Sequence, residues 1–79
     1  MANNSTRRAK MMIGNRLIAV VSMLNAGHDD MAANFNLYFM LDPRKLGDVP
    51  TVEIAEALEV KDVATLQVIA HELIDLAIL

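Results

Sequence analysis

The chain contains no cysteine and no tryptophan, only one Tyr and two Phe, and no more than three Gly and two Pro in 79 residues. Without cysteine there are no disulfides, and no Cys/His cluster offers a structural zinc site. A thiol nucleophile is excluded for the same reason. There is no phosphate-binding Gly pattern and no Ser paired locally with a base. No segment shows sustained period-two alternation of strand-forming residues, and no internal repeat, low-complexity tract or linker is present. No uncharged run approaches the ~20 residues that span a bilayer, so no membrane partner is expected. Acids are absent from the first 28 residues, which carry Arg7, Arg8, Lys10 and Arg16. Arg16 breaks the apolar run after this basic region, and no small-x-small pattern follows, so signal-peptide cleavage is not expected. The cytoplasm is the expected compartment.

What the chain has is apolar residues, 54% of the total. A single domain over residues 1–79 has little interior in which to hide them. With disulfides and zinc excluded, burial against a second chain is the remaining way to stabilise it, so a homodimer is expected. Charge is unevenly spread. Residues 41–79 hold eight acids and three bases, within a net charge of −3. A basic head and an acidic body can pair between subunits, the head can touch phosphates, or both can be solvated faces.

The pattern predicts an all-α bundle of three to four helices completed by dimerisation, with residues 1–5 as a flexible arm. Ser5 or Thr6 is a candidate cap for a first helix to about Ala26. Its face is Ile13, Leu17, Val20 and Leu24, widened by Met12, Ile18, Val21 and Met23. Gly27 suits the left-handed residue after that helix. Asp29 or Asp30 caps a second helix over 31–41, with Met31, Phe35 and Tyr38 or Phe39 inward. Asp42-Pro43 ends it and can start a single turn closed by Gly47. Val49-Pro50-Thr51 opens the next helix, with Pro50 in its first turn and Ile54, Ala55 and Leu58 inward. A turn at residues 60–62 is favoured over one unbroken helix from 50 to 79, because Asp62 is a better cap than an interior residue.

The last helix, 62–79, organises the rest. Leu66, Ile69, Leu73 and Leu76 form one face, but Val68, Ala70, Ile74, Ala77, Ile78 and Leu79 fill much of the circumference. A helix apolar on most sides must be covered on most sides. Leu66, Ile69, Leu73, Ile74, Leu76 and Ile78, with Leu17, Val21, Leu24 and Phe35, are therefore the expected oligomer or partner interface. Arg7, Arg8 and Lys10 are the expected charged contacts. Met11, Met12, Met23, Met31 and Met40 suit core filling, or an adaptable binding surface.

His71-Glu72-Leu73-Ile74-Asp75 has the i, i+4 spacing of a zinc-hydrolase helix, with Asp in place of the second His. No third ligand is evident, and His71 and Asp75 fit a polar pair better. His28-Asp29-Asp30 fits a capping turn better than a cation site. No metal and no cofactor are expected. Residues 51–73 have helix-turn-helix character. The putative recognition helix carries Asp62, Glu72 and Asp75 and no Lys or Arg, so phosphates would repel it.

Leu46-Gly47-x-Val49, then Ile54 and Glu59, then Leu66-Gln67-x-Ile69, resembles in order the FlhD subunit of the bacterial flagellar master regulator. The similarity extends over the second half of the chain, which is shorter and lacks the segment that the family places between the two blocks. The resemblance implies a helical, dimeric protein that works with a second protein subunit to control transcription. It carries over no site residues. The expected function is a non-enzymatic protein–protein interaction module, an adaptor or inhibitor of a regulatory protein, of the size of a bacterial or phage accessory protein. The alternative is a small dimeric DNA-binding transcription regulator using its basic N-terminal arm, which makes nucleic acid the less favoured partner.

Overall fold

The first helix, α1 (Asn4–Asn25), runs for 22 residues, about 33 Å at 1.5 Å per residue. The computed structural model describes the backbone of residues 4–30 and 49–79, and side chains from residue 7 onward within them. Two more helices follow in the described residues, α2 (Thr51–Glu59) and α3 (Val63–Ile78), and there are no strands among them. The fold is a small all-α bundle. α3 packs chiefly along α1, and α2 meets α3 over a smaller area.

α1 begins at Asn4, ahead of the expected caps at Ser5 and Thr6. The expected second helix (31–41), the turn at 42–47, Phe35, Met31 and Met40 lie outside the described residues. Asp29 and Asp30 are themselves helical.

Both described turns have the same hydrogen-bond scheme. After α1, the Gly27 N–H donates to the Leu24 carbonyl at 3.1 Å and the His28 N–H to the Met23 carbonyl at 2.8 Å. After α2, the Lys61 N–H donates to the Leu58 carbonyl at 3.2 Å and the Asp62 N–H to the Ala57 carbonyl at 2.8 Å. This paired pattern satisfies carbonyls that a helix end otherwise leaves free, and it needs a left-handed residue at its corner. Gly27 takes that position at φ 83, and Lys61 takes it at φ 56. The chain therefore does turn between Val60 and Asp62, as the sequence favours, but with Lys where Gly is usual. A side chain in this region costs roughly 1–2 kcal/mol. Lys61→Gly should thus be more stable than Lys61→Ala by about 1 kcal/mol in urea unfolding, since both variants lose the same lysine contacts and only Gly removes the strain. Equal stabilities would mean that the backbone here is not strained.

α2 has Pro50 at its N-cap position, with no side-chain cap, one residue earlier than the first-turn place expected for it. The Pro50 carbonyl accepts from the Ile54 N–H at 3.0 Å. Val49 and Ile54 flank this start and are both buried in one cluster, an apolar clamp that fixes the direction of entry. The inward face of α2 is Ile54 and Ala57, with Ala55 and Leu58 half-buried.

α3 starts at Asp62, whose carboxylate accepts from the Thr65 N–H at 3.1 Å and from the Thr65 hydroxyl at 2.6 Å. The hydroxyl bond first, and the backbone bond second, hold the Asp62 carboxyl below its ordinary value. A carboxyl lowered in the folded state contributes stability that is present above its unfolded pKa and lost as pH falls through the folded one. Thr65→Val should therefore shift the NMR titration of the Asp62 carboxyl carbon toward the ordinary aspartate range. An unchanged midpoint would remove Thr65 as the cause.

The core is a single cluster in which Ile13, Leu17 and Val20 of α1 meet Leu66, Ile69, Ala70 and Leu73 of α3, with Ile54 and Ala57 from α2. Among the described residues no polar or charged residue is buried. The buried stripe of α3 ends at Ala77, while Leu76 is 48% exposed. The expected face 66, 69, 73, 76 is thus corrected to 66, 69, 70, 73, 77. Both stripes fit helical spacing; Ala70 is buried against α1 at Gly14, and Ala77 is buried where Leu76 is not.

α1 and α3 come close because Gly14 lies between them. A Cβ there would sit 2.6 Å from Ile74 Cγ1 and 3.0 Å from the Ala70 carbonyl oxygen. Both are below normal contact, so only the missing side chain permits this approach.

Candidate interaction surface

α3 is covered on one side and bare on the other. Leu66, Ile69 and Leu73 of the expected interface are buried within the chain, as are Leu17 and Val21. Leu24 and Ile74 are half-buried. Val68 (57%), Leu76 (48%) and Ile78 (69%) are exposed, together with Leu79, Met12 and Ile18. Separate exposed aliphatic residues are ordinary on a protein surface. Here they are spread over two helices: Val68 lies on the α2 side of α3 beside Glu72 and Glu53, while Leu76 and Ile78 are exposed near the end of α3 and Ile18 on α1. On α1, Ile18 stands one turn beyond Gly14. On α3, Ile78 stands one turn beyond Ile74, the side chain that Gly14 accommodates. Ile18 and Ile78 thus each stand one helical turn from the Gly14–Ile74 contact.

The charges divide by helix. Arg7 and Arg8 are exposed and Lys10 and Arg16 half-buried on α1, which has no acid. α3 carries Glu72 and Asp75, both exposed, and no Lys or Arg. A shallow groove between α2 and the start of α3 is lined by Glu53, Glu56, Glu59 and Asp62. This end of the molecule repels phosphate, which weighs against α2 and α3 as a DNA-reading pair. His71 is exposed on α3 near Asp75. Among the described residues no three His, Asp or Glu side chains are placed to hold a metal ion. Nor is any described helix long and apolar enough to cross a membrane.

Lys61 Nζ donates to the Asp29 carboxylate at 2.6 Å, fastening the α2–α3 turn to the segment after α1. With both side chains about half exposed, such a pair contributes roughly 0–1 kcal/mol. Sequence reasoning missed this pair, whose members stand 32 residues apart. It also missed Gly14, whose one signal is a glycine within an otherwise uninterrupted helical pattern.

Comparison of the chain with protein-family models, with curated proteins and with solved structures finds no match.

Proposed function

We propose that the protein is a non-enzymatic helical interaction module that associates with itself and docks on a regulatory protein as an adaptor or inhibitor. The observation that carries this reading is the number of large aliphatic side chains left exposed on α1 and α3, namely Met12, Ile18, Val68, Leu76, Ile78 and Leu79. Removing such surface from water favours association by roughly 25 cal/mol per Å² before the costs of binding. The opposite charges of α1 and α3 orient a partner and set its rate of encounter more than its affinity. The class of partner, a transcription regulator, rests on the FlhD resemblance alone. The cytoplasm follows as the compartment of such a partner.

Capture from a native lysate by wild type and by a Val68→Asp, Leu76→Asp variant tests the reading. A stoichiometric protein retained by wild type and lost by the variant supports it.

The second reading, a DNA-binding regulator, is favoured by the exposed Arg7 and Arg8. A few charges per chain give weak, salt-sensitive, non-specific binding, of order 10⁻⁴–10⁻⁶ M at physiological salt. Tight binding to one DNA sequence, abolished by replacing Arg7, Arg8 and Lys10 with Ala, would promote this reading over the first. A salt titration of DNA binding separates the two.

A further inference from the structure

We propose that the trough between α2 and α3 docks a cationic amphipathic helix of another protein, one whose apolar side chains are flanked by Lys or Arg. This rests on the reading of the chain as an interaction module and deepens it by stating the chemistry of the partner. The groove lined by Glu53, Glu56, Glu59 and Asp62 does not stop at the start of α3. It continues past Ala64, Val68, Ile69 and Glu72, and the two stretches share Glu53 and Thr65.

Three observations carry it. The trough is apolar as well as acidic. Ala57 and Ile69 line it as core residues, and Val60 and Val68 stand in it 73% and 57% exposed. An apolar strip between charged rims is what an amphipathic helix fits. The second observation is charge without counter-charge. Asp62 is taken up by the Thr65 cap. Glu53, Glu56, Glu59 and Glu72 are exposed, and among the described residues no ion pair or hydrogen bond engages their carboxylates. Neither α2 nor α3 carries Lys or Arg, and Lys61 between them is paired with Asp29. The third is that the row disfavours the free fold. Glu53, Glu56 and Glu59 follow at i, i+3 and i+6 on the outer side of α2, so neighbours along the row repel. Glu59 is also the last residue of α2, where the negative end of a helix disfavours an anion. A cationic partner relieves both effects, whereas nucleic acid and anionic lipid are repelled by the same row.

The probe is a synthetic peptide of about 15 residues, leucine and lysine in amphipathic helical order, long enough to form a helix on docking. Titration calorimetry of the full chain measures its dissociation constant. Wild type should bind it, more weakly as salt is added, and should not bind the same peptide with glutamate in place of lysine. Glu56→Gln with Glu59→Gln should raise the dissociation constant about tenfold. The same variant, free of peptide, should melt about 2 °C higher, because two repelling pairs are gone. Asp30→Asn with Asp75→Asn removes equal charge from residues that line neither stretch of the trough, and should change binding by no more than about twofold. Val60→Ser with Val68→Ser should weaken binding and leave its salt dependence unchanged. Circular dichroism confirms that each variant is folded. A wild type that ignores the peptide overturns the proposal, and so does equal loss in the Gln and Asn variants. Sedimentation of the chain alone covers the other occupant: an oligomer that the Gln variant dissociates would give the trough to a second copy and overturn the proposal too. A protein captured from lysate equally by wild type and the Gln variant would sink the trough while leaving the interaction reading standing.

Discussion

Leu73→Asp should abolish cooperative folding at pH 7. Leu73 is 3% exposed, in a cluster with Ile13, Leu17, Leu66 and Ile69. No polar residue is buried among the described ones, so the new carboxylate would have no buried polar side chain to bond to. Loss of the leucine packing alone costs about 2–5 kcal/mol, and burying an unpaired charge adds several more. A chain of this length is stable by roughly 4–12 kcal/mol, so the two costs together consume most or all of that. Thermal melting followed by far-ultraviolet circular dichroism should lose its sigmoid transition. Leu76→Asp is the control, because Leu76 is about half exposed and its helix should persist. A Leu73→Asp variant that melts cooperatively within about 1 kcal/mol of wild type would place Leu73 outside the core.

Gly14→Leu should destabilise the chain by about 2–3 kcal/mol, and Gly14→Ala by about 1 kcal/mol. At an exposed helix position the same Gly→Ala change stabilises by about 1 kcal/mol, since Ala is the better helix former. Here the added Cβ meets Ile74 Cγ1 and the Ala70 carbonyl oxygen. Neither is the free end of a long side chain that can swing aside, so α1 and α3 must move apart and loosen the contacts along both. Trimming Ile74 should return part of the loss, giving a coupling of about 0.5–3 kcal/mol between Gly14→Ala and Ile74→Ala. Urea unfolding of the four chains in the cycle measures it. A stabilising Gly14→Ala would mean that the helices do not meet at this point.

The helices were legible in the sequence wherever one local rule decided them. Period 3.6 marks α1 and α3, and Asp62 marks the start of α3 because its carboxylate reaches the free amides there. Gly27 marks the end of α1 by its tolerance of positive φ. The identity of the buried stripe on α3 was less legible. Apolar spacing does not say which of two apolar faces turns inward, and Leu76 competes with Ala77 until tertiary packing decides. Lys61 as the left-handed residue, its bond to Asp29, and the fit of Gly14 against Ile74 depend on partners far away in the chain. Periodicity carries no information about those. The candidate surface was half legible. An all-round apolar α3 implies more cover than so short a chain supplies, but the share taken by α1 is set by packing.

The central claim is that association completes this fold, and the concentration dependence of thermal unfolding tests it most directly. If folded chains are paired, mass action favours the folded state as concentration rises. Between about 2 and about 200 µM the melting temperature should climb by about 8 °C, the shift expected when some 160 residues unfold together from a dimer. A melting temperature that stays constant across that range, with full reversibility, would show that each chain is stable alone and would contradict the account.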